Sequence, residues 1–423
     1  MTDNDTKQDL MKTDTSSTST NAASPTAAWG AVLAMAMAAF ALVASEFMPV
    51  SLLTPIARDL LVTEGQAGQA IAVSGAFALI TSLCVSALAG HLNRKVLLAS
   101  LTLLMIISGT VVAFAPNYAV FMVGRALIGV AIGGFWSLSA ATAMRLVPED
   151  KVPRALAILN SGNALATVIA ASLGSFLSSI IGWRLAFFAV VPVAVIALCW
   201  KLFSLPSMKP EAERRSGNVF KLLKRKPVAF GMAASSLFFM GQFSLYTYLR
   251  PFLESVTQVD VSTLSFLLLL VGVAGFLGTL LIGGLLKNGV YRVLTFIPLL
   301  MAVLAISLTY AYVGSSLWLT AVALGLWGLV ATAAPVGWWT WLARTMPQDA
   351  EAGGGLLVAV VQLAIMLGAT LGGVLFDHYG YSATFEMSAA LLIISAVLTV
   401  MTARAQEQEA QHACDSPAQT AQA

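Results

Sequence analysis

Apolar residues run along this chain in long blocks, and polar ones collect in the short breaks between them. The period-two alternation of a half-buried strand is absent. Each block reaches about the 20 residues that a helix needs to cross a hydrocarbon layer. Twelve blocks can be delimited, at 28–56, 67–90, 96–115, 119–144, 155–180, 185–205, 228–250, 262–286, 292–313, 317–343, 353–376 and 381–402. A helix satisfies its backbone N–H and C=O groups within the segment, as lipid demands. The expected class is therefore an all-α integral membrane protein with twelve transmembrane helices.

The longest internal break, Pro206 to Pro227, divides the blocks six and six, and the text on either side repeats. Arg145-Leu-Val-Pro148-Glu-Asp150 returns 199 positions later as Arg344-Thr-Met-Pro347-Gln-Asp349. Leu173-Gly174, Gly182-Trp183 and Phe187 return 198 positions later as Leu371-Gly372, Gly380-Tyr381 and Phe385. Parallel halves of this kind place a solute site at the midplane between them, as in alternating-access carriers. The expected organisation is a disordered tail over 1–27, a six-helix half over 28–205, a linker over 206–227, a second half over 228–402 and a disordered tail over 403–423. The first block is longer than the 7–15 residues of a signal core, so it reads as an uncleaved helix.

Composition sharpens this. The chain of 423 residues is 58% hydrophobic and 10% charged, against about 25% charged in soluble domains. A net charge of +3 gives no reason to expect nucleic acid. The basic residues are distributed unevenly. With the N-terminus inside, nineteen fall in cytoplasmic tails and loops, eight of them over Lys201–Lys226, and three (Arg58, Arg184, Arg250) fall outside. That asymmetry predicts two cytoplasmic termini. Cys84, Cys199 and Cys414 have no metal spacing, and neither a Walker loop nor a catalytic constellation is present. No metal, cofactor or enzymatic activity is expected.

Two ionisable residues stand inside apolar blocks. Glu46 lies about 15 Å below the outer end of the first block, too deep for a short side chain to escape to the surface. An acid at that depth can take a proton from one side and release it to the other. Arg125, about 9 Å deep in the fourth block, either faces Glu46 or bonds the backbone carbonyls of its neighbours. In the seventh block Gln242, Tyr246 and Tyr248 concentrate amide, hydroxyl and aromatic groups at membrane depth, which suits a flat aromatic solute. Asn160, Asn163 and Gln362 are further amides that either bridge helices or bond a solute. Trp338, Trp339 and Trp341 are better explained by the preference of tryptophan for membrane interfaces.

The text resembles a known family. Glu46-Phe-Met-Pro-Val-Ser-Leu-Leu-Thr-Pro-Ile-Ala-Arg-Asp-Leu and Glu64-Gly-Gln-Ala-Gly-Gln resemble sugar and nucleoside exporters in the drug/proton antiporter branch of the major facilitator superfamily. Gly133-Gly-Phe-Trp136-Ser-Leu-Ser-Ala, Tyr246-Thr-Tyr-Leu-Arg-Pro and Pro335-Val-Gly-Trp-Trp-Thr-Trp are closer to bacterial purine ribonucleoside efflux pumps. The resemblance covers about residues 28–402. It implies the major facilitator fold and proton-coupled efflux of inosine- and guanosine-like solutes across the bacterial inner membrane. The energy source would be the proton gradient and the working unit a monomer. Glu46 and Arg125 would couple protons, and Trp136 would join Gln242, Tyr246, Tyr248, Asn160, Asn163 and Gln362 around the solute. The run Ala89-Gly90-His-Leu-Asn93-Arg94-Lys95 resembles the family's conformational loop, with Asn93 where an acid is expected. The stretch 164–183 resembles its antiporter signature, with Ser172 in place of the usual proline. A sugar or drug exporter of the same branch is the near alternative, and a passive channel or membrane sensor the remote one.

Overall fold

The computed structural model describes residues 28–89, 92–208, 219–287, 289–347 and 349–420. Among them the chain is helical throughout. In order the helices are α1 (Trp29–Leu60), α2 (Glu64–Ala89), α3 (Arg94–Ala113), α4 (Tyr118–Arg145), α5 (Val152–Phe188), α6 (Val190–Ser204) and α7 (Lys226–Thr247). There follow α8 (Leu249–Ser255), α9 (Val261–Lys287), α10 (Val290–Thr309), α11 (Ala311–Gly314), α12 (Leu317–Ala331), α13 (Ala334–Thr345) and α14 (Ala350–Thr420).

Ten helical segments among the described residues are long and apolar enough to cross a membrane, against twelve blocks in the sequence. The difference arises because two pairs of blocks run on without a gap, as Arg154–Ser204 with 51 residues and Ala352–Glu409 with 58. Each contains one glycine that leaves helical geometry, Gly182 at φ 81° and Gly380 at φ 80°. Only glycine adopts that conformation at little cost. The two breaks are 198 residues apart and are packed alike. Trp183 meets Phe187 edge-on at 6.2 Å after the first, and Tyr381 meets Phe385 edge-on at 5.9 Å after the second. The repeat in the text is thus a repeat in packing.

Each half has its own apolar core, one gathered around Met35, Leu101, Ile128 and Phe135, the other around Phe238, Leu267, Trp327 and Leu392. Close helix crossings rest on small residues. At Gly133 of α4, a Cβ would lie 2.2 Å from the Ala78 carbonyl of α2, so the two backbones touch directly. Ile80, Val123, Phe176, Leu280, Phe296 and Val322 point outward, as lipid-facing positions do.

The halves meet along α2–α14, α5–α9 and α1–α8. At the α2 end that begins with Glu64 they are clasped. Thr63 and Gln66 form a reciprocal cap, Gln66 N–H donating to Thr63 Oγ1 at 3.0 Å and Thr63 N–H to Gln66 Oε1 at 3.1 Å. Asp377 of α14 then accepts from the Gly65 N–H at 2.9 Å and from Thr63 Oγ1 at 2.6 Å. A carboxylate from one half therefore closes the positive end of a helix in the other.

At the opposite end, Arg225 pairs with Glu409 through both its Nε and a terminal nitrogen, at 3.0 and 3.2 Å. Gln406 accepts from Thr345 at 3.2 Å and from Tyr291. The stretch from 403 is helical through Thr420 where a disordered tail is expected from sequence, and within it Gln406 and Glu409 find partners on α10, α13 and the residue preceding α7. Residues 1–27 and 209–218, expected as tail and linker, lie outside the described residues, and Val219–Lys224 forms a 3-10 turn.

Candidate functional site

Two prolines inside α1 set up the site. A proline has no N–H to give the carbonyl four residues before it, so Pro49 and Pro55 leave the Ser45 and Ser51 carbonyls without helical donors. Two arginines supply what is missing. Arg125 of α4, fully buried, donates to the Ser45 carbonyl at 2.8 Å. Arg250 of α8, from the other half, donates to the Ser51 carbonyl and pairs with Glu254 at 2.8 Å. The sequence places Arg250 in an outer loop; it is instead helical and 4% exposed.

Arg125 also donates to the Glu46 carbonyl at 3.1 Å, the Ala70 carbonyl at 3.1 Å and Ser74 Oγ at 3.2 Å. Of its two readings from sequence, the backbone one describes these contacts. No ion pair joins Arg125 to Glu46 among the described residues. The guanidinium fork is spent on α1 and α2, and it fixes the stretch of backbone that carries Glu46.

The Glu46 side chain is itself buried, 17 residues into a helix of 32. It faces the second half, where Gln362 of α14 lies beside the carboxyl group. The Gln362 Nε2 completes no hydrogen bond within the protein, and neither does the Oε1 of half-buried Gln242 on α7. Phe47, which follows Glu46 on α1, stacks on Phe243, which follows Gln242 on α7, with ring centres 5.7 Å apart. Glu46 and Gln362 therefore form a buried polar pair between the halves, and an aromatic stack adjoins the acid along α1. Buried polar atoms left unpaired cost about 1–3 kcal/mol each, so this arrangement suits an incoming solute or water.

The other expected residues divide. Tyr246 is half-buried and meets Phe243 edge-on at 6.3 Å, within the same wall. Tyr248 does not belong to it. Its ring stacks on Phe376 at 5.1 Å and its hydroxyl donates to the Ala369 carbonyl at 2.8 Å. It is fully buried, and its hydroxyl is taken up by that carbonyl, so it stands apart from the Phe47–Phe243 wall. Trp136 is half-buried against Phe135 at 5.6 Å. Asn160 is exposed and donates to Leu156 of its own helix at 2.9 Å. Among the described residues it bonds to no other helix, and Asn163 is half-buried one turn further along.

In the loop, Asn93 caps α3, accepting from the Lys95 N–H at 3.0 Å and the Met208 N–H at 3.2 Å. It also donates to Ser207, tying this loop to the chain leaving α6. Arg94 begins α3, and its N–H donates to the Met208 carbonyl at 3.2 Å. Gly90 lies outside the described residues. Sequence reasoning misses the Phe47–Phe243 stack, the Asp377 clasp and Lys201, which it counts among the cytoplasmic charges. Lys201 is in α6 and 1% exposed, because its amine turns inward to Thr102.

Comparisons with known proteins agree with this architecture. A family model described as Major Facilitator Superfamily matches residues 35–354. The chain is 39% identical over 376 residues to the purine ribonucleoside efflux pump NepI of Salmonella typhimurium, covering 89% of this chain and 94% of that protein. It is 62% identical over 380 residues to a Pseudomonas aeruginosa protein called transcription regulatory protein OpdE, again over 89% and 94%. Among solved structures, the human organic anion transporter MFSD10 superposes with a TM-score of 0.63 at 16% identity, over 88% of this chain and 98% of that one. That last likeness concerns the fold alone.

Proposed function

Because this chain belongs to the major facilitator superfamily, we propose that it is a secondary exporter, moving purine ribonucleosides and their analogues out of the bacterial cell in exchange for protons. The observation that carries this reading is the midplane site. Glu46 is, among the described residues, the one buried acid, and it lies at the junction of two repeated halves, beside an amide of the opposite half and near an aromatic stack that a purine can extend. The relatives named as purine ribonucleoside efflux pumps supply the solute class.

In this reading the two long helices each cross the membrane twice, turning at Gly182 and Gly380. The protein then has twelve passes, with both termini in the cytoplasm and the Asp377 clasp on the outer side. The clasped state is closed outward, and it works as a monomer in the inner membrane. A proton on Glu46 removes the charge that makes the empty site costly to bury, and so biases the equilibrium between the two open states.

Counterflow of radiolabelled inosine in proteoliposomes, competed with unlabelled guanosine, arabinose and chloramphenicol, tests the solute. Competition by guanosine supports the reading; competition by arabinose or chloramphenicol alone moves the assignment to a sugar or drug exporter. Tyr246→Ala should weaken the inosine site by about 1–3 kcal/mol, the scale of a lost base–aromatic contact, and Gln242→Ala by about 0.5–1.5 kcal/mol, the scale of a lost hydrogen bond.

A second reading has one specific observation behind it, the regulatory name of the 62% identical relative. A role in transcription would appear as altered transcript levels in a deletion strain that an uncoupled Glu46→Gln protein, unable to export uphill, restores. Export predicts that this variant restores nothing.

A further inference from the structure

Among the described residues, Lys201 carries the one buried amine of the N-terminal half, and the coupling site does not use it. Its Nζ donates to Thr102 Oγ1 at 2.8 Å and lies 5.0 Å from the centre of the Phe135 ring. Thr102 gives its own hydroxyl proton to the Leu98 carbonyl at 2.8 Å, so it can only accept from the amine. An ammonium has three N–H donors, and this place offers one oxygen and one ring face.

The helices packed on α6 are α1, α3 and α5, with Phe135 of α4 against the amine. Their titratable and charged groups are Glu46, Arg58 and Asp59 on α1, Arg94 and Lys95 on α3, Tyr118, Arg125 and Arg145 on α4, and Arg154 and Arg184 on α5. Of the two acids, Asp59 pairs with Arg184 and Glu46 faces Gln362. No carboxylate forms an ion pair with Lys201 among the described residues. A permanent charge here would be an uncompensated buried ion, an arrangement proteins rarely keep without a use for it.

Position gives the use. A small cavity lined by Ala38, Leu42, Leu101, Thr102, Met105 and Phe135 adjoins both groups that hold the amine, and is about large enough for one water molecule. Leu42 is one helical turn from Glu46 on α1, about 6 Å along the axis, and Ala38 one turn further. Thr102 lies about 12 Å from the start of α3 at Arg94. Lys201 is thus at a level between Glu46 and the ends of α3 and α6 that the proposed topology puts in the cytoplasm.

We propose that Lys201 is a second proton-binding group, receiving the proton that Glu46 gives up and passing it to the cytoplasm. The inference rests on the proton-coupled reading above. The carboxylic acid of Glu46 becomes a carboxylate, and the proton crosses by way of water to the Lys201 amine, which becomes an ammonium. The ammonium then releases the proton to cytoplasmic water and the amine is restored. Thr102, which lines the cavity, holds the Nζ, and Phe135 faces it in the charged state.

The test compares wild type, Lys201→Met, Lys201→Arg and Glu46→Gln. Proton uptake by the purified proteins, titrated from mildly alkaline to mildly acid pH in detergent, needs no solute. Lys201→Met should bind one proton fewer than wild type, and so should Lys201→Arg, since arginine keeps its proton throughout. In proteoliposomes, exchange of labelled inosine without a gradient reports that each variant is folded, while uphill transport driven by a pH gradient should be lost in both lysine variants. An unchanged proton count, or restored uphill transport in Lys201→Arg, makes Lys201 a fixed structural cation and overturns the inference. Should Lys201→Met not fold, the proton count of Lys201→Arg decides. Absence of pH-driven uphill transport in wild type sinks the proton-coupled reading itself, and its retention in Glu46→Gln sinks the part given to Glu46, so these failures are distinguishable from that of Lys201.

Discussion

Replacing Pro49 by alanine should make Arg125 less necessary. Proline removes the donor that the Ser45 carbonyl would have had within α1, and Arg125 replaces it from α4 at 2.8 Å. Arg125→Met deletes four bonds in a fully buried place. At the ~0.6 kcal/mol average measured for interhelical hydrogen bonds in membrane proteins, the four amount to about 2.4 kcal/mol. Bonds to charged groups can reach about 1.5–3 kcal/mol each, so this is a lower figure. In a Pro49→Ala background the substituted residue brings an N–H that can return to the Ser45 carbonyl, and one of the four acceptors is no longer orphaned. The same Arg125→Met change should then cost about 0.6–1.5 kcal/mol less. Reversible unfolding in mixed detergent micelles, run as a double-mutant cycle, measures that difference. Distant sites add within about 0.3–0.5 kcal/mol. A coupling inside that range would mean that Arg125 does not serve the carbonyl freed by Pro49.

Asp377→Asn removes the charge from both bonds across the closed end. It should raise the population open at that end, measured as a longer spin-label distance between the Glu64 end of α2 and the Gly380 turn of α14; an unchanged distance distribution would mean that the clasp holds nothing. Asp260, fully exposed before α9, accepts from Thr263 Oγ1 and from the N–H groups of Thr263 and Ser262, and these bonds hold its carboxyl below the usual carboxylate range. Its contribution to stability is therefore present at neutral pH and lost as the pH falls through that lowered value. Asp260→Ala should reduce the melting temperature at neutral pH, and the gap from wild type should close in acid.

Much of this arrangement is legible in the sequence, and the exceptions have physical causes. Helices follow from block length, and the repeat at 198 residues marks Gly182 and Gly380, whose shared positive φ only a structure displays. The depth of Glu46 is countable from either end of its block. Where Arg125 points is not, because depth fixes a level and leaves rotation about the helix open. The signal that could have settled it is Pro49, since a proline inside a spanning helix announces a carbonyl four residues earlier that needs a donor. Pro55 and Arg250 repeat the lesson between the halves. Lys201 reads as a loop charge because charge usually marks a loop; its long stem lets the amine turn back to Thr102 from the last turn of α6. Composition places Tyr248 at membrane depth, and its packing on Phe376 of α14 is visible only in the structure. The Asp377 clasp joins residues more than 300 positions apart, and no local pattern records it.

The central claim is that Glu46 couples solute movement to protons. Inosine transport into proteoliposomes, against its own gradient and driven by an imposed pH difference, measures this directly in wild type and Glu46→Gln. The account predicts uphill transport by wild type, collapse when the pH difference is dissipated, and none by Glu46→Gln under the same gradient. Full gradient-driven transport by Glu46→Gln would contradict it.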